Sequence, residues 1–338
     1  MQENKKQAVE QLLICKKNSL LEKFAKTENI PYQSLELGIY YKLSNIIKIN
    51  NIIKSKKNII AHTHESRGLG ICTAIKLLFY KNFKLILHRR VIFPIKGVYS
   101  KKIKYSHQYI DLVICSSTAV QKIILDTNAK LQTVVIPDMT DIKYPYQKNN
   151  ILSSTYKIDP NKQIIGYIAA LTFEKDHMTF LQVAKQIHNT LPQTHFVLIG
   201  EGKLQSQIEV EIENLKLKDI VTLTGYVSNV KDIISDIDLL LFPSTQEGFG
   251  STIIDFFVAK KPVVTVKNGG CEDIIIDGYN GFICNIKDIN DLTQKSITIL
   301  TNTKLSNELT NNAYKDVTSN YSISKITQQI IAYYNKLK

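Results

Sequence analysis

Runs of aliphatic and β-branched residues, each bounded by turn-forming or charged positions, punctuate this chain, and between them apolar residues recur at helical spacing. A short apolar run flanked by turns is what a strand in a parallel sheet requires, because helices cover both faces of such a sheet. In the first half the pattern predicts strands over Val9–Cys15, Tyr32–Leu37, Asn58–His62, Phe83–His88, Asp111–Cys115 and Gln132–Ile136. In the second half it predicts them over Gln163–Ala169, Thr194–Gly200, Ile220–Thr224, Ile237–Phe242, Pro262–Val266 and Gly281–Cys284. Helical stretches such as Ser19–Asn29 and Arg67–Tyr80 lie between them. The class is α/β, and 338 residues at roughly 150 per domain predict two doubly wound, Rossmann-like sheets. The polar, turn-prone stretch Tyr144–Asn150 predicts the junction, giving a first domain over 1–150, a second over 151–320 and a C-terminal helix over 321–338 packing back toward the first.

Composition narrows the class further. No apolar stretch reaches the roughly 18 residues of a membrane span, and no long apolar block follows Met1, so a cytoplasmic location is expected. Five scattered cysteines with no C-x-x-C pair support neither a disulfide framework nor a zinc site. The net charge of +13 is unevenly placed: residues 1–150 hold 25 basic against 10 acidic side chains, and residues 151–338 hold 18 against 20. A basic first half fits a domain lying against phospholipid headgroups, a lipid-linked phosphate or nucleic acid. Lys101, Lys102 and Lys104, interleaved with Ile103 and Tyr105, are the candidates for a membrane-facing patch. Nothing resembles a groove-reading motif, and nucleic acid is not an expected partner.

In doubly wound sheets ligands bind beyond the carboxyl ends of the strands, so residues just after a strand carry the chemistry. After Phe242 comes Pro-Ser-Thr-Gln-Glu247-Gly-Phe-Gly-Ser-Thr-Ile-Ile-Asp255, a glycine-rich turn leading into an apolar helix predicted to begin near Gly248. The free N–H groups of such a helix's first turn can hold an anion. Asp255 follows Glu247 by about two helical turns, which predicts both carboxylates on one face, suited to a polyhydroxylated ligand. Lys175 stands between a strand and a helix, where it can neutralise a phosphate. Gly269 and Gly270, with Glu272 behind them, permit close backbone approach after another strand. Asp236-Ile-Asp238 has the form of a metal-binding D-x-D, but it adjoins a buried strand and is predicted to cap it.

Together these segments resemble the family-4 retaining glycosyltransferases, with their GT-B fold of two Rossmann-like domains facing a central cleft. The likeness covers nearly the whole chain and is strongest over residues 160–285. Ala61-His62-Thr-His64-Glu65-Ser-Arg67 resembles the family's histidine pair at a strand end. His88-Arg89-Arg90-Val-Ile-Phe93-Pro94 resembles a loop of members that build bacterial surface polysaccharides. The resemblance implies transfer of a hexose-type sugar from a nucleotide-diphosphate donor to a membrane-associated glycan or lipid-linked acceptor, in lipopolysaccharide, O-antigen or capsule synthesis. It implies retained anomeric configuration and no metal or other cofactor. By the same resemblance Glu247 contacts the donor sugar, Asp255 the ribose, Lys175 and the backbone over Gly248, Phe249, Gly250 and Ser251 the diphosphate, and His64 the acceptor side. Arg67, Arg89, Arg90, Gly269 and Gly270 are candidate acceptor or phosphate contacts. A place on the inner face of the cytoplasmic membrane, as a peripheral protein, follows.

Some positions depart from the family pattern. Ala169-Ala170 replaces a glycine-arginine pair, Asp255 replaces a glutamate, and Met139 falls where relatives carry glycine, which predicts strain if the turn is left-handed. The first domain is expected to lack its first strand and helix, on the order of 25 residues, with edges of the flanking strands exposed. These departures keep open an alternative, a catalytically impaired nucleotide-sugar-binding relic or partner subunit.

Overall fold

A computed structural model describes residues 9–36, 43–79 and 82–337. Its residues divide into two compact units. One takes the chain up to Ser116, Val120–Ile136 and the terminal segment from Ile323; the other takes Ser117–Ala119 and Pro137–Ser322. The division after Ile136 falls earlier than the polar stretch 144–150, because that stretch is tied into the second unit by Asp236. Its Oδ1 accepts the N–H groups of Asn149 and Asn150 at 3.1 and 2.9 Å, and Oδ2 that of Leu152 at 3.1 Å. Asp238 likewise accepts the Ile164 N–H at 2.8 Å. The D-x-D segment thus spends its carboxylates on backbone.

In the first unit β1 (Leu13–Lys16) and β2 (Tyr32–Leu35) form a two-stranded parallel sheet. A separate parallel sheet runs in the order β3 (Ile60–Thr63), β4 (Lys84–Arg89), β5 (Leu112–Cys115), β6 (Thr133–Val135). The single first sheet expected from the sequence is therefore two sheets, and among the described residues β1 and β3 each have one neighbour only. The core of this unit joins Leu69, Ile75, Leu85, Val113 and Ile124. The helix Ile323–Leu337 belongs here as well, through Tyr334 on His62.

The second unit holds a six-stranded parallel sheet: β7 (Gln163–Ile168), β8 (Thr194–Ile199), β9 (Val221–Gly225), β10 (Leu239–Phe242), β11 (Val263–Val266) and β12 (Phe282–Cys284). Its order, β12-β11-β10-β7-β8-β9, is that of a doubly wound Rossmann sheet. β8, β10 and β11 are buried at every residue, as their mostly apolar sequences allow; the polar Thr194, His195 and Thr265 each find a hydrogen-bond partner. The twelve strands fall where the apolar runs predict them, with ends shifted by a few residues; Leu37 and Tyr80, which end two predicted elements, lie outside the described residues. Among the described residues no helix is long and apolar enough to cross a membrane.

Two histidines are enclosed in the second unit. His177 is 2% exposed and packs on Tyr167, while His195 meets Thr222 Oγ1 at 2.8 Å. Burial pushes each down to about 4, so both stay neutral in the folded state. Unfolded imidazoles protonate near 6.5, so the unfolded chain binds more protons between these values and stability falls as pH drops from about 6.5 toward 4. We expect a loss of up to about 1 kcal/mol per pH unit for each histidine in that window. Urea melts at pH 7, 5.5 and 4.5 should show a falling midpoint, with a shallower fall in His177→Gln; identical slopes in the two proteins would remove His177 as a cause.

Candidate functional site

Strand order reverses between β7 and β10, which are hydrogen-bonded neighbours, so their connections leave in opposite directions and a crevice opens beyond their carboxyl ends. Lys175 follows β7 and Glu247 follows β10, and the structure joins them: Lys175 Nζ lies 2.6 Å from Glu247 Oε1. Both side chains are mostly shielded, at 20% and 12% exposure. Backbone contacts fix both ends of the pair. The Lys175 carbonyl accepts the Tyr167 hydroxyl at 2.7 Å, and the Glu174 carbonyl accepts the Thr245 N–H at 2.8 Å and the Ser244 and Thr245 hydroxyls at 3.1 Å each. On the other side Glu247 donates its N–H to the Asn268 carbonyl at 3.2 Å and accepts the Gly270 N–H at 2.9 Å.

Gly270 and Asn268 therefore hold the Glu247 backbone in place. Gly270 spends its N–H on the Glu247 carbonyl, and Gly269 spends its own on Glu272 Oε2 at 2.9 Å. This replaces the phosphate contact expected of them. A Cβ at Gly270 would lie 2.5 Å from the Phe249 nitrogen and 2.7 Å from the Glu247 carbonyl oxygen, closer than any side chain allows.

The helix after β10 begins at Ser251 and not near Gly248, because Gly250 turns left-handed at φ +97° and breaks helical continuity. Glu247 consequently lies outside the helix, paired with Gly269, and the shared helical face expected for Glu247 and Asp255 does not exist. Gly250 offers no side-chain cap, which leaves the start of Ser251–Val258 suited to an external anion. Asp255, one turn in, accepts the Thr140 hydroxyl at 2.5 Å and faces Lys231 Nζ at 3.2 Å. Thr140 and Lys231 carry no signal in the sequence; only the packing of the 137–141 segment and the Lys231–Ile234 helix brings them to Asp255. Met139 stays out of the left-handed region, so the predicted strain is absent.

In the first unit, the rings of His62 and His64 stack at 4.5 Å between centroids, showing that β3 remains extended through its end and points both the same way. His88 on β4 stacks on His62 at 5.4 Å and lies tilted against His64 at 5.3 Å. Arg67 and Arg90 are exposed. Arg89 is buried: its guanidinium donates to the Tyr105 hydroxyl at 3.0 Å and to the Phe93 carbonyl, so it braces the 90–99 loop and is no acceptor contact. Lys104 and Tyr105 are buried too, Lys104 donating to Ser66 Oγ. They drop out of the surface patch expected for them. Val91, Phe93, Val98, Tyr99 and Ile103 are exposed in their stead, among Lys96, Lys101 and Lys102.

Comparison with known proteins gives the following likenesses. Residues 149–316 match the family model described as glycosyl transferases group 1. An uncharacterized glycosyltransferase of Methanocaldococcus jannaschii is 29% identical over 321 residues, covering 91% of this chain and 84% of the relative. A UDP-Gal:alpha-D-GlcNAc-diphosphoundecaprenol alpha-1,3-galactosyltransferase of Escherichia coli is 20% identical over 339 residues, covering 94% and 87%. Among solved structures, HepE of Anabaena in complex with UDP superposes with a TM-score of 0.84 at 19% identity, covering 96% of this chain and 92% of that one.

If Gly270 is there to let the two loops close, Gly270→Ala should destabilise the second unit by about 1–3 kcal/mol, the usual range for overpacking. A chemical denaturation midpoint measures it. A midpoint equal to that of the parent protein would mean the loops are not stapled as described.

Proposed function

Starting from a chain that is a glycosyltransferase of GT-B fold with its group 1 domain at residues 149–316, we propose that it moves a hexose-type sugar, with retention of configuration, from a uridine diphosphate donor to a glycan or lipid-linked acceptor at a membrane. The observation that carries this reading is the Lys175–Glu247 pair at the switch point, beside the uncapped start of Ser251–Val258. A diphosphate leaving the sugar develops negative charge, which a preorganised ammonium and helix N–H groups lower in energy without rearrangement. Glu247 is an acceptor for sugar hydroxyls. A donor entering the crevice takes Lys175 through its phosphates and Glu247 through its hydroxyls, so each charge exchanges one partner for another. Asp255 is assigned to the ribose through Oδ2, since Oδ1 is engaged by Thr140 and Lys231. His64 is assigned to the acceptor side, with Arg67 and Arg90 as its candidate anion contacts. Transfer runs without metal on this reading, the departing charge being met by Lys175 and the helix.

The galactosyltransferase relative acts, by its name, on a diphosphoundecaprenol-linked sugar. Together with the basic first half, this supports a role in bacterial surface polysaccharide synthesis and a seat on the inner face of the cytoplasmic membrane. The exposed apolar and basic side chains over residues 91–103 are the surface we assign to the lipid.

Three outcomes test this. In an assay of sugar transfer or donor hydrolysis over several nucleotide sugars, Glu247→Gln should lower the rate by about 10²-fold or more while the protein stays folded. Near-full activity would sink the donor-site assignment. In calorimetry with UDP, Lys175→Ala should lose affinity; an unchanged value would take Lys175 out of the diphosphate site. In vesicle flotation, binding should be confined to anionic lipid, fade with salt, and weaken in Phe93→Asp. Equal recovery on neutral vesicles would leave the charge asymmetry without this meaning.

A further inference from the structure

We propose that His62, His64 and His88 form a binding site for a divalent transition-metal ion of the zinc class. The fold brings them together from two strands. His62 and His64 lie two residues apart at the end of β3. His62 pairs in register with Ile86 on β4, so His88, two residues further, stands over the same end. One ring nitrogen from each histidine lies within 4.8 Å of the others, and no other group of three histidine, cysteine or acidic side chains among the described residues has that proximity.

The unsatisfied valences point the same way. His62 Nδ1 is 2.5 Å from the Tyr334 hydroxyl, and its Nε2 is buried with no hydrogen-bond partner. Both ring nitrogens of His88, a residue only 2% exposed, are buried and without partners as well. Leaving such atoms unmade is costly, on the order of 1–3 kcal/mol each. An imidazole fixed at one nitrogen by an oxygen and left open at the other is how metal-ligating histidines are oriented.

The donor set selects the ion. Three imidazoles with no carboxylate or thiolate are poor partners for magnesium or calcium, which take oxygen, and good ones for zinc, cobalt or nickel. Three protein ligands leave the fourth position open. The ion has no part in the transfer reaction proposed above. Where that reading of His64 holds, occupancy withdraws His64 from the acceptor, so the metal acts as a brake.

The test needs no activity. The full chain, stripped with a chelator, is titrated with Zn²⁺ by calorimetry and with Co²⁺ by visible absorption. One ion per chain should bind with a dissociation constant on the order of 10 μM or below. Co²⁺ should give ligand-field bands without the near-ultraviolet charge transfer of a thiolate, which excludes the cysteines. His88→Gln should weaken binding at least 10-fold; should that buried variant misfold, exposed His64→Gln carries the same expectation. Tyr334→Phe keeps every ligand and removes only the group that orients His62, and should weaken binding about 10-fold. Binding no tighter than about 1 mM, or an affinity unmoved in both His64→Gln and Tyr334→Phe, overturns the proposal.

Discussion

The arrangement of the second unit turns on one constraint, the reversal of strand order between β7 and β10. Two neighbouring parallel strands whose connections leave in opposite directions cannot both be covered at their carboxyl ends, and the uncovered gap is where Lys175 and Glu247 meet. The gap alone would leave two charges pointing at water. What frames the pair is a set of backbone hydrogen bonds on the two loops, in which Glu174, Asn268 and Gly270 each hold a part. Asn268, 4% exposed, donates to the Ser244 carbonyl and accepts from the Cys271 N–H, tying the loops after β10 and β11 together.

Net stabilisation from the ion pair itself is small. A shielded pair gives back in desolvation much of what it gains in attraction. Its consequence lies in what happens when it is replaced: a ligand offering both an anion and hydroxyl groups can satisfy the two partners at once, whereas one offering only a single kind leaves a shielded charge uncompensated. On the proposed reading, this exchange favours a phosphate-linked sugar.

The first unit works by a different principle. Its strand ends gather neutral rings, and its charged residues divide sharply into internal struts, Arg89 and Lys104, and exposed side chains, Arg67, Arg90, Lys101 and Lys102. Spacing along the chain does not distinguish these groups. Lys102 and Lys104 are two residues apart, yet only one is buried, because the chain over Ser100–Lys104 winds as a π-helical turn in which successive lysines face different surroundings.

The sequence by itself determined the strands and their parallel class, and singled out the loops after β7, β10 and β11 as candidates for chemistry. Those follow from local rules: apolar runs bury, glycine and proline break them, and ligands of doubly wound sheets lie after strands. It also led to Lys175 and Glu247 separately, each as a residue that follows a strand. Tertiary structure decided what each residue touches. Helical periodicity could not foresee that left-handed Gly250 would exclude Glu247 from the helix, nor that Gly270 would serve the backbone of Glu247 and Gly269 the side chain of Glu272. Thr140 and Lys231 reach Asp255 across 115 and 24 positions of chain, a separation over which no local pattern carries information. The same holds for His88 beside His62 and His64: β3 and β4 are separated in sequence by a helix, and only their hydrogen-bonded register brings the three rings together.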